Sequence, residues 1–217
     1  KILAFLCAAA MLLTMTACGS SAPAEITQAT AAATQPETVP ETTAAPTEAA
    51  EVTVTDMIGR EVTVIPGSYK SVVCIGAGAL RMYSYIGDVA LLGGVEDIDN
   101  TTLEDRPKMF DAVARPYVLA FGDVFNTLPS CGVGGPQAQT AEAEKILSCT
   151  PDIVISEYED VEKEDALQEQ LGVPVITLKA GSKGVFDDAF SGSMELLGKV
   201  FDREEKAQAL VEFVKSE

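Results

Sequence analysis

The chain has 217 residues, with 15 Lys and Arg against 33 Asp and Glu, no His and no Trp, so its formal net charge is −18. Such an acid balance excludes nucleic acid as a partner, because phosphate backbones are held by basic surfaces. An apolar share of 47% with 22% charged residues suffices for a globular core, and the lack of imidazole removes every Ser-His-Asp and Cys-His mechanism and every His-built zinc site.

Residues 1–17 combine Lys1 with an uncharged apolar run from Ile2 to Ala17, which predicts an export signal too short to cross a bilayer as a helix. Thr16-Ala17-Cys18-Gly19 resembles the bacterial lipoprotein signal, although Met15 stands where Leu is usual. That resemblance implies lipidation of Cys18. Residues 18–50 follow as a tract rich in Ala, Thr and Pro and free of aromatics. A segment of this composition cannot bury enough apolar surface to offset its ordering entropy, and it is expected to be a disordered tether.

Beyond it, Val52, Val54, Val62 and Val64 alternate with polar residues around Asp56–Arg60, which predicts a hairpin. Ser71–Ile75 is a short apolar strand, Gly76-Ala77-Gly78 opens a helix to about Ile86, and Ala90–Val95 is the next strand. Residues 97–126 read as loops with a short helix or two. Gln139–Ser148 is predicted helical, Ile153–Ser156 a strand, Val161–Leu171 a helix and Val173–Leu178 a strand. Strands alternating with helices of these lengths specify an α/β unit, a parallel sheet flanked by helices. From Val185 to the last residue, Glu217, the pattern is that of one long helix.

Several positions could carry chemistry. Gly76–Arg81 lies where a strand hands over to a helix, a place where free amides and the helix dipole favour an anion or a polar ligand edge. A tight turn needing Gly for geometry explains it equally well. It is not a dinucleotide fingerprint, since the third Gly position holds Arg81. Gly132–Gln137 is a second Gly-rich loop, without the Lys-Ser/Thr ending of a phosphate loop. Glu142 and Glu144 stand two apart on a helix and point in different directions. Glu157 and Tyr158 follow a strand end, where open α/β sheets bind ligands, and a surface Tyr in an acidic loop is the alternative. Cys74, Cys131 and Cys149 show no Cys-x-x-Cys spacing and are expected to be buried thiols, with a Cys131–Cys149 bridge allowed.

Taken in order, Val54–Val64, Ser71–Ile75 with its Gly turn, Glu144–Ser148 leading into Pro151–Ile155, Leu171–Val175 and the long helix resemble the substrate-binding proteins of iron-siderophore, haem and cobalamin ABC importers. The resemblance covers nearly all of residues 52–217. It implies one lobe of a two-lobed binding protein over residues 51–184, with residues 185–217 starting the interlobe helix and the second lobe missing. It further implies a ligand rim of Gly76, Ala77, Gly78, Leu80, Arg81, Gly135, Pro136, Gln137, Glu157, Tyr158 and Lys179, with Glu144 docking to an ABC permease. No catalytic residue, metal site or cofactor is expected. The implied protein is a monomeric, extracytoplasmic, lipid-anchored receptor for a small-molecule metal chelate, with ferric siderophore first and cobalamin, haem or an oxyanion such as molybdate as alternatives. Arg81 and Lys179 are then the cations to watch for an anionic ligand, and one cleft wall alone should hold a ligand weakly. An exported α/β enzyme is the more distant alternative.

Overall fold

A computed structural model describes residues 50–135 and 138–217. The expected signal at 1–17, Cys18, the tether as far as residue 49, and Pro136 and Gln137 lie outside the described residues.

The chain enters through an antiparallel hairpin of β1 (Val52–Thr55) and β2 (Glu61–Val64), in register from Val52 opposite Val64 to Thr55 opposite Glu61. A five-stranded sheet follows in the order β5-β4-β3-β6-β7, built from β3 (Val72–Ile75), β4 (Leu92–Glu96), β5 (Ser130–Gly132), β6 (Ile153–Ser156) and β7 (Val175–Thr177). All its pairings are parallel. Its helices are α1 (Ala79–Ile86), α2 (Pro116–Phe125), α3 (Ala143–Ser148), α4 (Val161–Leu171), α5 (Asp188–Phe201) and α6 (Glu204–Ser216).

Every residue of β3 and β6 is buried, which is why these strands read as continuous apolar runs. Their side chains alternate between two cores. Val72, Cys74, Ile153 and Ile155 join the hairpin, α1, α2, α5 and α6, whereas Val73, Ile75 and Val154 join Ile146 of α3 and Leu167 and Leu171 of α4. On the first side Tyr83 and Phe201 meet edge to face at 5.2 Å, fastening α1 to α5. Among the described residues no helix is long and apolar enough to cross a membrane.

The expected α/β unit is present, with several local differences, and the strand expected over Val173–Leu178 is confined to Val175–Thr177. Ser130–Gly132 forms a strand where only a loop was expected, and the helix expected from Gln139 begins at Ala143. The strand expected over Ala90–Val95 runs from Leu92 to Glu96, because Val89–Leu91 turn as a short 3-10 helix. The long helical run divides at Asp202, which takes the left-handed conformation at φ 55°. A short polar side chain tolerates that region better than most. The two helices differ in burial. Helix α5 buries Phe190, Met194, Leu197 and Val200 almost completely, whereas α6 buries only Ala207 and Val211. Helix α5 is therefore the more deeply packed of the two, while α6 lies against the same core through Ala207 and Val211.

Candidate functional site

The sheet reverses direction of growth at β3, with β4 and β5 added on one side and β6 and β7 on the other. The carboxyl ends of β3 and β6 consequently flank a crevice, the position at which open α/β sheets take ligands. The Gly76–Gly78 turn leaves β3 there, and Glu157 leaves β6.

Two carboxyls stand against this turn, one buried and one half-buried. Glu96, the last residue of β4, is 5% exposed and accepts the Gly76 N–H at 2.9 Å through Oε1. Burial pushes its carboxyl up to about 7; the Gly76 N–H opposes the shift and the neighbouring Asp99, Glu142 and Asp97 add to it. Glu157 donates its own N–H to Ile75 O and accepts the Ala180 N–H at 3.2 Å through Oε1. Its Oε2 is buried without a hydrogen-bond partner. Burial again dominates and raises this carboxyl to about 7 against the pull of the Arg81 guanidinium and the Ala180 N–H.

Gly78 caps α1 at φ 111°, and a Cβ there would stand 2.6 Å from Glu157 Oε2. Backbone and space thus both demand Gly. Gly78→Ala is expected to cost about 1–3 kcal/mol of stability, read as a lowered urea midpoint, and a midpoint equal to wild type would show that the turn relaxes freely.

A cavity of about 250 Å³ opens on this turn. Of the expected rim it gathers Gly76, Ala77, Gly78, Arg81 and Gly135, and it adds Glu96, Asp99, Phe110, Arg115 and Tyr117. Asp99 accepts from Arg115 Nη1 at 2.7 Å and from the Tyr117 hydroxyl at 2.8 Å, while both Arg115 terminal nitrogens also donate to Ile98 O at 3.1 Å. These bonds pin the start of α2 over the end of β4. Burial raises the Asp99 carboxyl even so.

Other expected positions go elsewhere. Leu80 is 4% exposed and turns into the core with Tyr83 and Ile86, so it is no rim residue. Tyr158 lines a separate groove of about 430 Å³ with Glu159, Lys163 and Leu167, between α3 and α4. Burial, and after it the surrounding carboxylates, push its phenol up. Lys179 Nζ is paired with Glu159 at 3.0 Å. Glu142 accepts the Val133 N–H at 2.7 Å and pairs with Lys145, tying down the second Gly-rich loop, whereas Glu144 is exposed on α3. Cys74, Cys131 and Cys149 are free and buried, without the Cys131–Cys149 bridge. Among the described residues no cluster of His, Cys, Asp or Glu could hold a metal ion.

Residues 79–217 match the family model for periplasmic binding proteins. The molybdate-binding protein MolA of Haemophilus influenzae, solved with molybdate, superposes with a TM-score of 0.55 at 17% identity, over 74% of this chain and 49% of that one. A periplasmic solute binding protein of Veillonella parvula gives 0.54 at 21% identity, over 77% and 46%. The catecholate-siderophore binding protein VctP of Vibrio cholerae gives 0.51 at 22%, over 77% and 51%. The chain therefore spans about half the length of these solved proteins, and the likeness establishes the fold. No curated protein sequence matches it.

Proposed function

Because the chain belongs to the periplasmic binding protein family, we propose that it is the lipid-anchored, extracytoplasmic solute receptor of an ABC importer, which captures a metal chelate and delivers it to the permease. The observation that carries this reading is the cavity at the β3–β6 crevice, walled by backbone amides of a Gly turn, the guanidinium groups of Arg81 and Arg115 and the buried carboxyls of Glu96 and Asp99, with no metal-ligating cluster among the described residues. Such a wall suits an intact chelate, whose metal keeps its own ligands, better than a bare ion. Ferric siderophore is the first choice within the class. In this reading the unit through α5 is one lobe and α6 starts the helix that carries the chain to a second.

Calorimetric titration of the chain with ferric siderophores, cobalamin, haem and molybdate tests the ligand class. Heat from at least one ferric siderophore is expected, and binding confined to molybdate or haem would overturn the choice of ligand. Docking through Glu144 is tested separately. Glu144→Arg is expected to lower receptor-stimulated ATPase of the permease in proteoliposomes by about tenfold, since reversing a docking charge sets like charges together. Its ligand titration should stay as wild type. Undiminished stimulation would remove Glu144 from the interface.

A further inference from the structure

We infer that a second cavity, which shares Phe110 with the crevice, is a subsite for an apolar or aromatic arm of the ligand. The inference rests on the chelate-receptor reading above and deepens it. The crevice cavity measures about 250 Å³, short of the roughly 300–1,000 Å³ in which drug-sized ligands are held. A chelate seated at the Gly76–Gly78 turn therefore extends beyond it. A cavity of about 510 Å³ adjoins, and Phe110 and Arg115 line both. The two differ in character. The crevice presents the Gly turn, Arg81, Glu96 and Asp99, whereas Ala112, Val113, Ala114, Val118 and Leu119 line the second besides the shared ring.

The polar side chains on this second wall are engaged within the protein. Arg106 grips Asp111 with two bonds of 2.8 and 2.9 Å, Arg115 holds Asp99 at 2.7 Å, and the Thr101 hydroxyl donates to Asn126 at 3.1 Å. Val113 and Leu119 are 60% and 78% exposed, so their apolar surface stays in water until an apolar group covers it. Phe110 is half-buried, yet it joins neither core and no ring pair among the described residues. Its backbone is braced. The Arg106–Asp111 fork closes the loop around it, Asp111 N–H donates to Lys108 O at 3.1 Å, and Phe110 O accepts the Val113 N–H at 3.0 Å. The ring is thus held out from a fixed turn, where an aryl group can meet it offset or edge to face.

The test uses two gallium(III) complexes of one linear trihydroxamate, acylated at its terminal amine with acetyl in the first and benzoyl in the second. Both are neutral, both keep ferric coordination without paramagnetic broadening, and they differ only in the arm. Each is titrated into the 15N-labelled chain. Both are expected to move the amide signals of Gly76 and Gly78, the benzoyl complex at about tenfold lower concentration, as burial of one phenyl group implies. Only the benzoyl complex is expected to move those of Val113 and Leu119. Equal concentrations for the two, or benzoyl-dependent shifts confined to other parts of the chain, overturn the subsite and leave the chelate receptor standing. Response to neither overturns the receptor reading and this inference with it. Leu119→Asn changes an exposed side chain outside the packed core. It should abolish the benzoyl advantage and keep the acetyl response as wild type, and an undiminished advantage removes this cavity from the recognition. Leu147→Asn, at a position 42% exposed on α3, should leave both responses as wild type. Loss of the advantage there as well would mark it as non-specific adhesion and overturn the subsite.

Discussion

Replacing Arg60 with Ala is expected to destabilise the folded unit by about 3–5 kcal/mol, the cost of orphaning a buried ionic partner, and to lower the thermal midpoint by about 10 °C. Arg60 sits in the β1–β2 turn with its side chain 4% exposed, and its fork reaches Asp56 of the same turn as well as two other elements. Nη1 donates to Asp56 Oδ2 and Val175 O, both at 3.2 Å, Nε to Asp165 at 2.7 Å and Nη2 to Gln168 Oε1 at 3.3 Å. Hairpin, β7 and α4 are thereby joined through one planar group. Asp56, with its side chain fully buried, accepts the N–H groups of Ile58, Arg60 and Thr177 and would lose its ion-pair partner. Arg60→Lys should recover about half of the loss, because an ammonium cannot span these acceptors as a fork does. Lys163→Ala, which breaks an exposed pair with Asp160, should cost less than about 1 kcal/mol. Urea denaturation followed by circular dichroism measures all three, and an Arg60→Ala cost no larger than that of Lys163→Ala would show that the network does not dock the hairpin.

Local chemistry made most of this fold legible. The alternating Val residues specify the hairpin, and α4 runs as expected because Asp160 caps it by accepting the Lys163 N–H and Gly172 ends it at φ 69°. What the sequence hid are elements too short or too irregular to show a period. Strand β5 has three residues, one of them Gly, and holds its place by pairing with β4 through an irregular register. Helix α2 had Pro116 at its first turn as its one signal inside a stretch without apolar rhythm. The break at Asp202 carries neither Gly nor Pro, and the packing of α6 back onto α5 enforces it.

The site divides the same way. Strand ends named Gly76, Gly78 and Glu157, and the same rule would have named Glu96 had β4 been extended by one residue. The i, i+3 spacing of Leu80 and Tyr83 already marked Leu80 as core. Asp99, Arg115 and Tyr117 were out of reach, since their meeting across 16 to 18 residues depends on how the loop after β4 folds back. Net charge misled in a related way. A chain at −18 makes each Arg look scarce and available, whereas abundant acids are what occupy Arg115, Lys179 and Arg106.

Unfolding free energy is expected to fall by about 2–3 kcal/mol between about pH 5 and pH 8, chiefly through Glu96, and Glu96→Gln is expected to remove most of that fall. The Glu96 carboxyl is lifted from its ordinary 4.5 to about 7 in the folded protein. Between these values the folded state keeps a proton that the unfolded chain has released, so raising the pH favours unfolding until the folded group also ionises, and the curve then flattens. Glu157 acts with the same sign, but water reaches part of its surroundings and screens the effect. Asp111, Glu142, Asp160 and Asp187 have lowered values, so what they contribute is lost only as the pH falls toward and below the ordinary carboxylate range. The window above about pH 5 therefore isolates the buried acids. Gln at position 96 can still accept the Gly76 N–H and never ionises, so the variant should be the more stable protein at about pH 8 by about 2 kcal/mol. Urea midpoints at the two pH values decide the matter, and parallel pH slopes for wild type and Glu96→Gln would show that this carboxyl is not the group that titrates at the floor of the crevice.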